Sequence, residues 1–96
     1  MTGATETLGA LREDIDEIDR EIADLLVERV ETAESVAAVK AEADDALVDE
    51  RREAVVKSRY EDRFDDAGLD GEDGRDLAAS LVGIALDQER QVADSA

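Results

Sequence analysis

An all-α chain of three helices, one long and two shorter, is the fold class this 96-residue sequence predicts. Three observations carry the prediction. Apolar side chains recur in alternating steps of four and three from Leu11 to Val39, no proline interrupts the chain, and the breaks in the helical period coincide with capping residues. Composition alone argues the other way. A net charge of −17, with only 23 of 96 residues drawn from Leu, Ile, Val and Phe, sits close to the disordered acidic class. Periodicity decides for folding, because a disordered chain has no reason to keep one face apolar over so long a stretch.

The first helix is expected over about residues 7–43, with Thr5 or Thr7 as N-cap. Its seam reads Leu11, Ile15, Ile18, Ile22, Leu25, Arg29, Thr32, Val36 and Val39. At 1.5 Å per residue such a helix is about 55 Å long, more than the width of a 96-residue globule. One chain cannot cover that seam, so a second chain is expected on it. The stretch Ala41-Glu42-Ala43-Asp44-Asp45 lacks bulky apolar residues and offers acidic caps, which ends the first helix. A second helix is expected over about 46–66, carrying Leu47, Val48, Val55, Val56, Tyr60 and Phe64. Ala67-Gly68-Leu69-Asp70 then reads as a stop and a restart: Gly68 for the left-handed position, Leu69 for its hydrophobic contact and Asp70 as the next cap. The third helix is expected over about 71–92, with Leu77, Leu81, Ile84 and Gln88 on one face and a frayed tail over 93–96. The whole chain, 1–96, makes one domain. Tested as a calcium loop starting at Asp66, the 67–77 region fails at Gly68 and at Leu77 and reads as an interhelical turn.

Composition excludes several kinds of chemistry. Without cysteine or histidine there is no thiol nucleophile, disulfide, zinc site or histidine acid–base pair. No apolar run is long enough to span a membrane, and residues 1–10, with Glu6 and no basic residue, do not read as a signal peptide, so a cytoplasmic protein is expected. The negative charge repels nucleic acid and anionic membranes, and neither is expected as a partner. Nine Arg against two Lys, in so acidic a chain, read as adaptation to a salt-rich solvent, where screening removes the self-repulsion.

The informative residues are polar ones in apolar places. Arg29 occupies a seam position, Lys40 follows seam residue Val39, and Arg12 adjoins Leu11. Arg52 aligns with Val48 and Val55, with Glu53 beside it, and the face of the third helix gives way to Gln88 and Gln91. Each inward guanidinium needs a carboxylate or an anionic ligand. Ordinary ion pairs with the abundant Glu and Asp are the plain reading for any one of them. Taken together, a basic cluster inside an acidic protein suits a small dianion, since Arg presents a fork to carboxylates.

These residues resemble the all-helical class of chorismate mutase, the AroQ family. The likeness covers roughly residues 8–92 and rests on two signatures. One is Leu11-Arg12, Ile15-Asp16-Glu17-Ile18-Asp19, Leu25, Leu26, Glu28, Arg29, Val36 and Lys40; the other is Asp49-Glu50-Arg51-Arg52-Glu53, matching Asp-x-x-Arg-Glu. The resemblance implies an intertwined helical homodimer in which the long helices pair and each site draws on both chains, Arg12 reaching across from the partner. It implies rearrangement of chorismate to prephenate on the route to phenylalanine and tyrosine, a pericyclic isomerisation with no metal or cofactor. Arg12, Arg29 and Arg52 would clamp the carboxylates, and Lys40 would reach the ether oxygen and a carboxylate. Glu53 would accept from the ring hydroxyl, with Asp49 ordering the start of the second helix beside it. Two positions depart from the family. Ala46 stands where proline is usual, and the family's third-helix pair, Ser or Asn and then Gln four residues on, fits best at Asp87 and Gln91, with Gln88 the alternative for the Gln. Two other functions remain open at this level: a non-catalytic dimerisation module, and an isochorismate pyruvate-lyase of the same fold, which resembles the chain at Arg12, Arg29 and Lys40 but not in the full Asp49, Arg52, Glu53 set.

Overall fold

A computed structural model of the chain describes residues 7–95, of Ser95 only the backbone; Thr5, the alternative first cap, and Ala96 lie outside the described residues. Within them the protein is all-helical, with α1 over Leu8–Glu42, α2 over Glu50–Asp66 and α3 over Gly71–Ser95. The three-helix expectation holds. α1 starts where the Thr7 side chain accepts a hydrogen bond from the Ala10 N–H (3.1 Å). α2 starts later than its apolar pattern suggested, because the Asp49 side chain takes the Arg52 N–H (3.1 Å) and makes Asp49 the N-cap. Residues 46–49 therefore lie outside the helix, with a bend at Leu47 and an extended backbone at Asp49. α3 runs on to Ser95, past the expected end at Val92, since neither glycine nor proline stands there to stop it.

Both connections close with the same hydrogen-bond pattern. After α2, Gly68 adopts φ +78°, and the N–H groups of Leu69 and Gly68 bond the carbonyls of Phe64 (2.9 Å) and Asp65 (3.0 Å). Leu69 is 58% exposed, so it contributes its N–H more than its side chain. Asp70 then caps α3 through the Glu72 N–H (2.9 Å). After α1 the left-handed residue is Asp44, with φ +57°.

α3 packs against both other helices, while α1 and α2 do not pack on each other. Gly74 lets α3 approach α2: a Cβ there would stand 2.5 Å from the Tyr60 carbonyl and within 3 Å of the Phe64 ring. The buried core is small, consisting of Ala37, Val56, Ala78, Leu81 and Ala85. It lies where α3 packs against α2 and against the C-terminal half of α1. Every residue from Thr7 to Glu28 is exposed. Leu11, Ile15, Ile18, Ile22 and Leu25 are each between 44% and 62% exposed, so the seam stands uncovered in the single chain. The protein measures 58 × 26 × 16 Å with a radius of gyration of 17.5 Å, against about 12–13 Å for a compact chain of this length.

Candidate functional site

The three helices enclose one cleft of about 470 Å³, within the size range of small-molecule sites. Its α1 wall is Leu25, Glu28, Arg29, Thr32, Ala33, Val36 and Lys40; Leu47 and Asp49 close one end; α2 adds Arg52, Glu53 and Val56; α3 adds Val82, Ala85, Leu86 and Glu89. Arg29 and Lys40 stand eleven residues apart on α1, three helical turns, so their side chains share one face. Arg52 and Glu53 are brought in by the α2 cap: the Asp49 side chain holds the Arg52 N–H, and its carbonyl holds the Glu53 N–H (3.0 Å). Asp49 thereby fixes the first turn of α2, whose N-terminal dipole also favours Glu50 and Glu53.

Five of the residues expected to meet a ligand thus line one cleft: Arg29, Lys40, Asp49, Arg52 and Glu53. Three do not. Arg12 lies on the exposed part of α1, seventeen residues and about 26 Å along the axis from Arg29. Asp87 and Gln91 are exposed and outside the lining. At 100° per residue they stand about 200° and 240° around α3 from the buried Ala85, on its outer side. Gln88, half-buried, also falls outside the lining.

The α3 wall instead presents Ala85 and, four residues on, Glu89, which sequence reasoning did not single out. Burial pushes the Glu89 carboxyl above the usual glutamate range. Nearby Lys40 opposes that shift, Glu53 adds to it by like-charge repulsion, and Arg29 opposes it again. The one signal that could have found Glu89 is register. Ala78, Leu81 and Ala85 trace the buried stripe of α3, and Glu89 continues it.

Charge pairing sharpens the chemistry. Among the described residues the ion pair within 4 Å is Arg75 with Glu61 (2.9 Å), whose side chains are 46% and 40% exposed. Arg29, Lys40 and Arg52 form none, in a chain with 28 carboxylates. Lys40 Nζ donates to the Leu47 carbonyl (3.0 Å), which leaves two of its three protons to offer a ligand. Three cations with no carboxylate within 4 Å, four carboxyl side chains (Glu28, Asp49, Glu53 and Glu89) and an apolar floor can seat a small, ring-sized dianion with hydrogen bonds of both senses. No group of three or more carboxylates among the described residues is placed to hold a metal ion. No helix among them is long and apolar enough to cross a membrane.

A family model described as chorismate mutase type II matches residues 11–90, a span that contains every residue of the cleft. The chain belongs to that family. No curated protein and no solved structure matches it.

Proposed function

From membership of the chorismate mutase type II family, we propose that the protein rearranges chorismate to prephenate, as a homodimer, in phenylalanine and tyrosine biosynthesis. The observation that carries this reading is the set of three cations, Arg29, Lys40 and Arg52, facing one cleft without a carboxylate partner. Ordinary ion pairing would have spent them on the neighbouring Glu and Asp. A substrate with two carboxylates supplies the missing charge.

The reaction is unimolecular: the ether C–O bond breaks as a C–C bond forms, and no atom enters or leaves. Catalysis then consists of holding the folded conformer and stabilising negative charge on the ether oxygen. Arg29 and Arg52 clamp the carboxylates, joined by Arg12 from the partner chain. Lys40 donates to the ether oxygen, and Glu53 accepts from the ring hydroxyl beside the Asp49 backbone. Glu89 takes the role that the resemblance assigns to a glutamine. An ionised Glu89 would repel the ether oxygen, whereas a protonated one donates to it, and burial favours the protonated form. Asp87 and Gln91 have no part in this cleft.

The exposed seam supports the homodimer. An antiparallel pairing of two α1 helices covers Leu11 to Leu25 and carries each Arg12 toward the other chain's cleft. The acid excess supports a cytoplasmic protein adapted to salt. The test is to follow chorismate loss by absorbance in molar salt and identify the product. Prephenate supports the reading. Pyruvate release would assign the lyase activity instead, and an inert protein would leave a dimerisation module.

A further inference from the structure

The end wall of the cleft is the connection between α1 and α2, and little packing holds it. Between Ala43 and Asp49 every residue is exposed except Leu47, which is half-buried. The connection's other side faces a second, open hollow lined by Asp45, Ala46 and Val48. What fixes its path is Lys40. The Lys40 carbonyl receives the Asp45 N–H (2.8 Å), its Nζ donates to the Leu47 carbonyl (3.0 Å), and the Asp44 N–H bonds the Ala41 carbonyl (3.3 Å). One residue therefore clasps the connection twice, through backbone and side chain. This arrangement is possible because Asp44 takes φ +57°, turning the chain so that the Leu47 carbonyl comes back over the end of α1.

The geometry points to Asp44 as a positioning residue: its left-handed turn sets the Leu47 carbonyl that holds the Lys40 ammonium at the cleft. This rests on the mutase reading only for its kinetic consequence; the clasp itself is independent of function. A lysine side chain has four rotatable bonds, and an unheld ammonium samples many positions. The Leu47 carbonyl removes that freedom before substrate arrives, leaving two donors for a ligand at the cleft. Asp44 itself does not line the cleft. It tolerates the left-handed region that β-branched side chains avoid and that glycine enters freely.

The test compares Asp44→Val with Asp44→Gly, each in the parent and in a Lys40→Ala background. Asp44→Val should lower kcat by about tenfold to a hundredfold, the scale of an ångström-sized misplacement, with a smaller change in KM. Asp44→Gly, which keeps the turn, should retain parental kcat. In the Lys40→Ala background Asp44→Val should cost nothing further in kcat, because its target is gone. Losses that multiply would show that Asp44 acts elsewhere and would overturn the proposal. A second readout needs no activity. Limited acetylation by acetic anhydride, read by mass spectrometry, distinguishes Lys40 from Lys57, the chain's other lysine. Asp44→Val should raise Lys40 labelling severalfold relative to Lys57, and Asp44→Gly should leave it unchanged. Equal labelling in all three proteins would overturn the clasp. If Asp44→Val fails to fold, Asp44→Ala carries the same comparison at lower strain. A parent with no mutase activity would defeat the functional reading, while the labelling result would still decide the clasp.

Discussion

Lys40 and Arg29 line the same cleft, and the proposed reaction gives them different moments to act. Charge on the ether oxygen grows only as the bond breaks, so Lys40→Ala should act mainly on kcat, lowering it about a hundredfold or more. In the proposed site Arg29 would hold a carboxylate in ground state and transition state alike, so Arg29→Ala should raise KM as well. Steady-state kinetics with a thermal melt on each variant check this. Both side chains are only half-buried, so the melts should stay near the parental one. Glu89 adds a pH dependence. Its carboxyl is raised in the folded protein, first by burial, so the native state keeps a proton that the unfolded chain has released. Stability contributed by that proton is present below the ordinary glutamate value and is lost as pH rises through the raised one. Activity should fall over the same window, because the donor to the ether oxygen is lost. Glu89→Gln, an amide that donates at every pH, should flatten both profiles; a profile unchanged by the substitution would remove Glu89 from the mechanism. The sequence made Arg29, Lys40 and Arg52 legible because cations on an apolar face need a reason. Glu89 was not legible, since one more carboxylate among 28 carries no signal and the register of α3 appears only once Ala78, Leu81 and Ala85 are seen to be buried.

At the scale of elements, the helical period and its breaks were readable because spacing and caps are local properties. The connection between α1 and α2 was less so. Leu47 and Val48 look like helix residues in a pattern, yet Asp49 captures the Arg52 N–H and begins α2 at Glu50. A capping hydrogen bond, worth about 1 kcal/mol, outweighed the weak propensity of the residues before it. The approach of α3 to α2 supplies a stability prediction. Elsewhere in a helix Gly→Ala gains up to about 1 kcal/mol. At Gly74 the new Cβ meets a backbone carbonyl at 2.5 Å, and backbone cannot swing aside as a side chain can. Overpacking costs about 1–3 kcal/mol and wins. Gly74→Ala should therefore lower the melting temperature, whereas an unchanged or raised value would mean that the hairpin has slack.

The whole molecule raises the question of what covers α1. Five seam side chains half in water forgo on the order of 1 kcal/mol each, comparable in sum to the stability of a small domain. Ile18→Asp tests this, because Ile18 is 53% exposed in the single chain and its loss would be silent there. In a dimer it buries a charge at the centre of the interface. Sedimentation in molar salt should give twice 10.4 kDa for the parent and a lighter, less helical species for the variant. Salt itself should stabilise the protein, since each chain carries −17. Melting temperature should rise from low to molar salt as screening shortens the reach of the repulsion, and a flat series would contradict the solvent-adaptation reading.

The central claim is that two chains build one chorismate-rearranging site, with Lys40 from one and Arg12 from the other. Mixing two inactive variants measures this directly. Arg12→Ala and Lys40→Ala proteins, unfolded together and refolded in molar salt, form hybrid dimers in half of all pairings, and each hybrid contains one intact site. Chorismate loss in the mixture should recover to about a quarter of the parental rate, while either variant refolded alone stays near zero. A mixture no more active than its components, beside an active parent, would contradict the shared site.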